Sequence, residues 1–204
     1  GDVAAWDEIV SLGREHDAVV ICDDAHASGV LGERGCGLSG DADIVIGTFS
    51  KALGSYGAFV ACSHGVRDYL VNRCTGLIYS TALPPPVLGA VDAALDLAPT
   101  LDAERAHVAA IAERVRDIAR NTGLDTGAST TQIVPLIAGA ADDAMTLSAQ
   151  MQKAGFWATA IRPPTVPTGT ARLRLAFSAA HTDAQIDRLA EVLAHARLSG
   201  YATA

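Results

Sequence analysis

Two short apolar runs near the start of the chain each stop abruptly at a cluster of reactive side chains. Ala18 to Cys22 (AVVIC) runs into Asp23, Asp24 and His26, and Ile44 to Ile46 runs into Gly47-Thr48-Phe49-Ser50 and then Lys51. A brief, unbroken apolar run predicts a strand buried on both faces, as in a parallel sheet flanked by helices. Ala58 to Cys62 reads as a further strand, and the spacing of Trp6, Ile9, Val10 and Leu12 predicts a helix over Trp6 to His16, with Asp2 as its cap. Helix, strand, glycine-rich loop (Ser28 to Gly40), strand, turn and strand make an α/β order. In open parallel sheets, ligands sit beyond the carboxyl ends of the strands. Asp23, His26, Thr48, Ser50 and Lys51 all fall at such ends.

The middle of the chain is helical. Val66 to Arg73 reads as a short helix. IYSTAL leads into Pro84-Pro85-Pro86, a favoured helix start, and that helix runs to about Leu97, with Pro99 ending it. A long helix covers about Ala103 to Asn121, with Val108, Ile111, Val115, Ile118 and Ala119 on one face and Gly123 as its stop. The pattern then changes. Gln132 to Ala138 is a strand whose internal proline predicts an edge position. A helix over Ala144 to Ala154 and a strand through Phe156 to Ile161 follow. Arg162 to Thr170 is a proline-rich loop, and Arg172 to Phe177 (RLRLAF) alternates charged and apolar residues as a half-exposed strand does. Thr182 caps a last helix to Ala196. The expected division is 1–97, the C-terminal part of a larger α/β domain, and 98–204, a small α+β domain.

Composition narrows the function classes. The net charge is −8 and the pI about 5.1, with no basic stripe, which argues against nucleic acid as the main partner. No apolar run approaches the roughly 18 residues of a membrane span, and no signal peptide is recognised, so a cytoplasmic location is expected. Cys22, Cys36, Cys62 and Cys74 form no CxxC pair, so no metal site is expected and reduced thiols are the default, Cys22 and Cys62 as small core residues. The chain starts at Gly1 and enters a helix almost at once, which reads as a piece of something longer.

Lys51 stands out because the chain has only two lysines, Lys51 and Lys153, against thirteen arginines. Arginine neither loses its proton easily nor forms an imine, so a lysine kept here is a candidate Schiff-base amine. Taken alone it would more often be a solvated lysine at a helix start.

Four ordered segments reverse those odds: DDAHASGVLGERGCG, GTFSKALGSYG, STALPPPV and IRPPTVPTGTARLRL. Together they resemble the α-oxoamine synthase family of pyridoxal-phosphate enzymes, of the aspartate-aminotransferase fold type. The likeness runs from Gly1 to about His195 and covers the C-terminal half of a family member. The resemblance implies pyridoxal 5′-phosphate held as an imine on Lys51, whose freed amine then serves as the proton-transfer base. It implies Asp23 on the pyridine nitrogen, with Asp24 the lesser partner, and His26 near the ring hydroxyl. Thr48 is implied on the phosphate with Ser50 in support, where amides in a turn ahead of a helix would favour an anion. Thr81 either reaches the phosphate of a partner subunit's cofactor or caps the proline-led helix.

Arg174 is implied to grip the substrate carboxylate, although Arg172 lies on the same strand face, and Thr165 is implied to touch substrate or cofactor. The implied activity is a pyridoxal-phosphate-dependent acyltransferase joining L-alanine to a pimeloyl thioester, on CoA or a carrier protein, in the branch serving biotin synthesis. A homodimer with its site at the interface is implied too. A glycine-using sibling such as glycine C-acetyltransferase is one alternative, and a non-catalytic fragment or dimerising module is another. Three features depart from the pattern: Ala58 replaces a second glycine, Asp24 stands where many relatives carry glutamate, and the family's first strands and ring-stacking histidine lie before Gly1. The chain alone is therefore expected to leave an open sheet edge and an incomplete site.

Overall fold

The glycine at position 13 shows how the first helix is seated. In the computed structural model, which describes residues 1–196, helix α1 (Trp6–Glu15) buries Val10 and Gly13. A Cβ on Gly13 would lie 2.4 Å from Val20 Cγ2, so only glycine lets the helix come this close. Asp2 does not cap α1: the N-cap is Ala5, with no side-chain cap bond. Asp2 lies too far upstream, in a segment whose Gly1 carbonyl accepts from the Thr130 and Thr131 N–H groups.

The chain divides into two compact units, one from Ala4 to Arg105 and the other from Ala106 onward together with Gly1–Val3. Residues 197–204, the end of the expected second domain, lie outside the described residues.

The first unit carries a three-stranded sheet in the order β1 (Ile21–Asp23), β2 (Ile44–Thr48), β3 (Ala58–Cys62). β1 and β2 run parallel and β3 returns antiparallel to β2. The expectation that the first run is buried on both faces is not met, because Val19 and Ile21 are 67% and 59% exposed. The register puts Ile21, Ile46 and Val60 on one sheet face. That face has no covering layer among the described residues, and all three are exposed. Cys22 and Cys62 are only half-buried. Helices α2 (His64–Arg73), α3 (Thr75–Ile78) and α4 (Pro85–Leu97) follow, with Ser63 capping α2 by accepting from Val66 N–H. Thr81 does not cap α4: the N-cap is Pro84, which offers no side-chain oxygen. Helix α5 (Asp102–Asn121) runs from the first unit into the second. Gly123, at φ +80°, closes it, with its N–H donating to Arg120 O.

The second unit is an antiparallel sheet in the order β4 (Ile133–Gly139), β6 (Ala171–Ala176), β5 (Thr159–Ile161), with helices α6 (Ala141–Lys153) and α7 (Asp183–Ala194). Pro135 does sit in an edge strand, as its missing N–H requires. Ala171, Leu173 and Leu175 of β6 are buried, and the alternate residues Arg172 and Arg174 point to the other face. The core beneath gathers Val115, Leu136, Leu147, Met151, Ile186 and Leu193. Thr182 and Gln185 form a capping box at the start of α7.

A charged side chain is buried beside this core. Arg116 is 3% exposed and donates to Thr131 O at 2.7 Å and to the Glu113 carboxylate at 2.9 Å. The hydrogen bond from Arg116, followed by its charge, holds the Glu113 carboxyl below its ordinary value. A carboxyl depressed in the folded state stabilises it above the ordinary glutamate pKa, and that share is lost as pH falls through the depressed value. Unfolding followed between neutral and acid pH should therefore lose a pH-dependent part in Glu113→Gln. An unchanged slope on the acid side would count against the pair.

Candidate active site

Lys51 lies in the loop of a hairpin. Strands β2 and β3 pair as far as Thr48 and Ala58. Phe49 N–H then donates to Gly57 O at 3.0 Å, Ser55 N–H to Phe49 O at 2.8 Å and Gly54 N–H to Lys51 O at 3.0 Å. No helix follows Lys51, so the expected anion site at a turn ahead of a helix is absent here. These amides, together with Ser50 N–H, which donates to Thr48 Oγ1, are spent on closing the loop. The Lys51 amine is exposed and forms no ion pair among the described residues.

The loop is fastened from two sides. Phe49 and Phe59 meet with ring centroids 5.2 Å apart. Gly57 has φ +100°, and a Cβ there would lie 2.8 Å from Leu83 Cδ1, so the STALPPP segment packs on the same loop. On the other side Ala52 and Leu53 meet Gly29 of the glycine-rich loop, at 3.0 and 3.5 Å from an added Cβ.

Asp23 ends β1 and is paired in register with Ile46, two residues before Thr48. Because β1 and β2 are parallel, their carboxyl ends share one edge of the sheet. Asp23, Thr48, Ser50 and Lys51 are thus brought to that edge. Asp23 is exposed, and one of its oxygens accepts from Ala25 N–H at 3.0 Å. His26 is exposed in the turn directly after it. Thr48 donates to Gly57 O at 2.9 Å, so in the 2.8 Å contact between the two hydroxyls Ser50 is the donor. Thr48 is therefore part of the hairpin's closure as well as a candidate ligand. Thr48→Val should speed amide exchange of residues 49–57, and Thr48→Ser should restore it; equal exchange in both variants would remove the closure role.

Arg174 and Thr165 belong to the second unit. Arg174 is exposed on β6, opposite Pro135 and Thr159, and makes no side-chain hydrogen bond or ion pair among the described residues. Arg172 is different: its Nε donates to Thr170 O at 2.9 Å. Thr165 is exposed, its N–H donating to Arg162 O at 3.0 Å. The sequence reading missed what Asp24 does. Its carboxylate is buried and bonded to the glycine-rich loop. The only signal was the density of glycines in that loop.

The donor set fits pyridoxal phosphate. At the β1–β2 edge stand an unpaired primary amine, an exposed carboxylate, an imidazole and two hydroxyls. These match an aldehyde, a ring nitrogen, a ring hydroxyl and a phosphate in kind. Among the described residues, no group of three or more His, Cys, Asp or Glu could hold a metal ion, and no helix is long and apolar enough to cross a membrane.

In an open α/β sheet, side chains at the carboxyl ends of the strands are where ligands bind. The family model for aminotransferase class I and II matches residues 1–193, and the chain belongs to that family. It is 54% identical over 198 residues to a putative 8-amino-7-oxononanoate synthase of Bordetella bronchiseptica, across 95% of this chain and 50% of that protein. It is 55% identical over 196 residues to the 8-amino-7-oxononanoate synthase of Gluconacetobacter diazotrophicus, across 95% of this chain and 49% of that one. Among solved structures, a serine palmitoyltransferase variant from S. paucimobilis with a bound PLP–myriocin adduct superposes with a TM-score of 0.90 at 29% identity. That match covers 96% of this chain and 51% of the other. The chain spans about half the length of the curated relatives it matches.

Proposed function

We propose that this chain is the C-terminal half of a pyridoxal-phosphate-dependent acyltransferase, 8-amino-7-oxononanoate synthase. It would condense L-alanine with a pimeloyl thioester, releasing carbon dioxide and the free thiol, as a cytoplasmic homodimer. The observation that carries the reading is the common edge of β1 and β2, where Asp23, Thr48, Ser50 and an exposed, unpaired Lys51 stand together. The identity to synthases of this name supports the substrate assignment.

When bound, pyridoxal phosphate supplies an aldehyde for amines and a ring that draws electrons from the amino-acid Cα. Lys51 would hold the cofactor, and its amine, once free, would take the proton from the alanine Cα and return one at the end. The Asp23 carboxylate keeps a proton on the ring nitrogen, since an adjacent anion favours the charged form. His26 hydrogen-bonds the ring hydroxyl. Ser50 and Thr48 would donate to the phosphate, Thr48 by releasing Gly57 O and Ser50 by releasing Thr48 Oγ1. Arg174 holds the alanine carboxylate in a two-pronged grip, which its unengaged guanidinium allows and Arg172's tie to Thr170 hinders. Thr165 borders the substrate. Thr81, which does not cap α4, reaches the phosphate in the partner subunit.

The native enzyme supplied with L-alanine and pimeloyl-CoA, and separately with glycine and acetyl-CoA, tests the assignment. Product from the first pair is expected. Product only from the second would move the protein to the glycine-using branch.

A further inference from the structure

We propose that Asp24 is a positioning residue: it locks the glycine-rich loop onto the carboxyl end of β1 and so fixes the two groups beside it, Asp23 and His26. The clamp rests on geometry alone, and what it serves rests on the functional reading above.

Asp24 is 5% exposed, and a buried carboxylate is costly unless donors satisfy it. Its Oδ2 accepts from Leu38 N–H at 3.1 Å and from the Ser39 hydroxyl at 3.0 Å. Its own N–H donates to Ile46 O at 2.7 Å, continuing the β1–β2 pairing. Its carbonyl accepts from Ala27 and Ser28 N–H, both at 2.9 Å, which closes the turn containing His26. One residue therefore ties together strand β2, the His26 turn and the far end of the loop.

The loop is shaped to receive this carboxylate. Gly37 has φ +90°, and a Cβ there would sit 1.8 Å from Asp24 Oδ2. A Cβ on Gly32 would sit 1.9 Å from Gly37 O. Glycine is needed at both positions because the loop folds tightly back on itself over the carboxylate. Asp24 and Asp23 are neighbours in sequence with opposite duties, one facing inward to the loop and the other outward at the site edge.

Amide exchange across residues 26–39, measured on the native protein, tests the clamp. Asp24→Ala should speed exchange there about tenfold or more, the loss expected for hydrogen bonds to a charged acceptor. Asp24→Asn keeps an acceptor oxygen and should restore most of the protection. Gly37→Ala, with the carboxylate intact, should loosen the loop as Asp24→Ala does, while Asp23→Asn should leave it as in the wild type. In the native holoprotein, Asp24→Ala should release pyridoxal phosphate faster while borohydride still fixes the cofactor on Lys51, a loss of affinity without a change of site. Unchanged loop exchange in both Asp24→Ala and Gly37→Ala would overturn the proposal, as would equal loosening by Asp23→Asn. If the wild-type holoprotein holds no pyridoxal phosphate, the functional reading fails, and the exchange comparison still decides the clamp.

Discussion

On the proposed function, Lys51→Ala should abolish formation of 8-amino-7-oxononanoate by the native protein and leave it folded. Two effects combine. The variant would lose the amine proposed to hold the cofactor. It would also lose the proposed base at the amino-acid Cα, and positioned acid–base groups are worth about 10²–10⁴-fold in rate. The fold should survive because the side chain is exposed and forms no ion pair among the described residues. The loop is closed by backbone bonds at Phe49, Ser55 and Gly54, and by Thr48 on Gly57 O, none of which uses the lysine side chain. Circular dichroism and thermal melting should match the wild type while activity vanishes. A variant that unfolds would return Lys51 to a structural role, and one that keeps full turnover would remove it from the chemistry.

Leu173→Ala should strongly destabilise the second unit. Leu173 is fully buried on the central strand β6, opposite Leu136 on β4 and Ala160 on β5. Removing such a side chain costs about 2–5 kcal/mol, depending on how far the cavity collapses. The consequence reaches function because Leu173 separates Arg172 from Arg174: its burial on one face holds both arginines on the other. Denaturant unfolding should show a lower midpoint with the slope unchanged, and, on the proposed role of Arg174, the KM for the amino acid should rise as that arginine loses its fixed strand. A stability loss below about 1 kcal/mol would mean that this core repacks freely.

Much of this was legible in the residues, for reasons that differ from place to place. Pro135 announced an edge strand because a missing N–H has few places to go. The RLRLAF alternation gave the two faces of β6 because side chains alternate along a strand. The T-D-A-Q start of α7 is a reciprocal cap that depends on local sequence alone. What failed was non-local. The run at Ala18 to Cys22 has the pattern of a strand covered on both sides, but whether a second layer covers Ile21 is decided by other segments. Asp2 had the chemistry of a cap without the spacing. The amides around Lys51 were expected to await an anion, yet they close a hairpin, because β3 returns antiparallel and the turn residues pair across it.

The site divides in the same way. The order of polar residues after each apolar run placed Asp23, Thr48, Ser50 and Lys51 at strand ends. The parallel pairing of β1 with β2 is what sets them on one edge. The choice between Arg172 and Arg174 could not be read from their spacing. The proposed preference for Arg174 rests on one hydrogen bond, from Arg172 to Thr170 O. Asp23 and Asp24 differ in burial: one carboxylate is exposed and the other is enclosed by a loop fifteen residues further along the chain.

The most direct measurement is the position of the cofactor. The native protein is reduced with borohydride, digested and mapped by mass spectrometry. A pyridoxyl group on Lys51, with Lys153 unmodified, is the predicted result. The group on Lys153, or on no lysine of this chain, would contradict the assignment of Lys51 as the reacting centre.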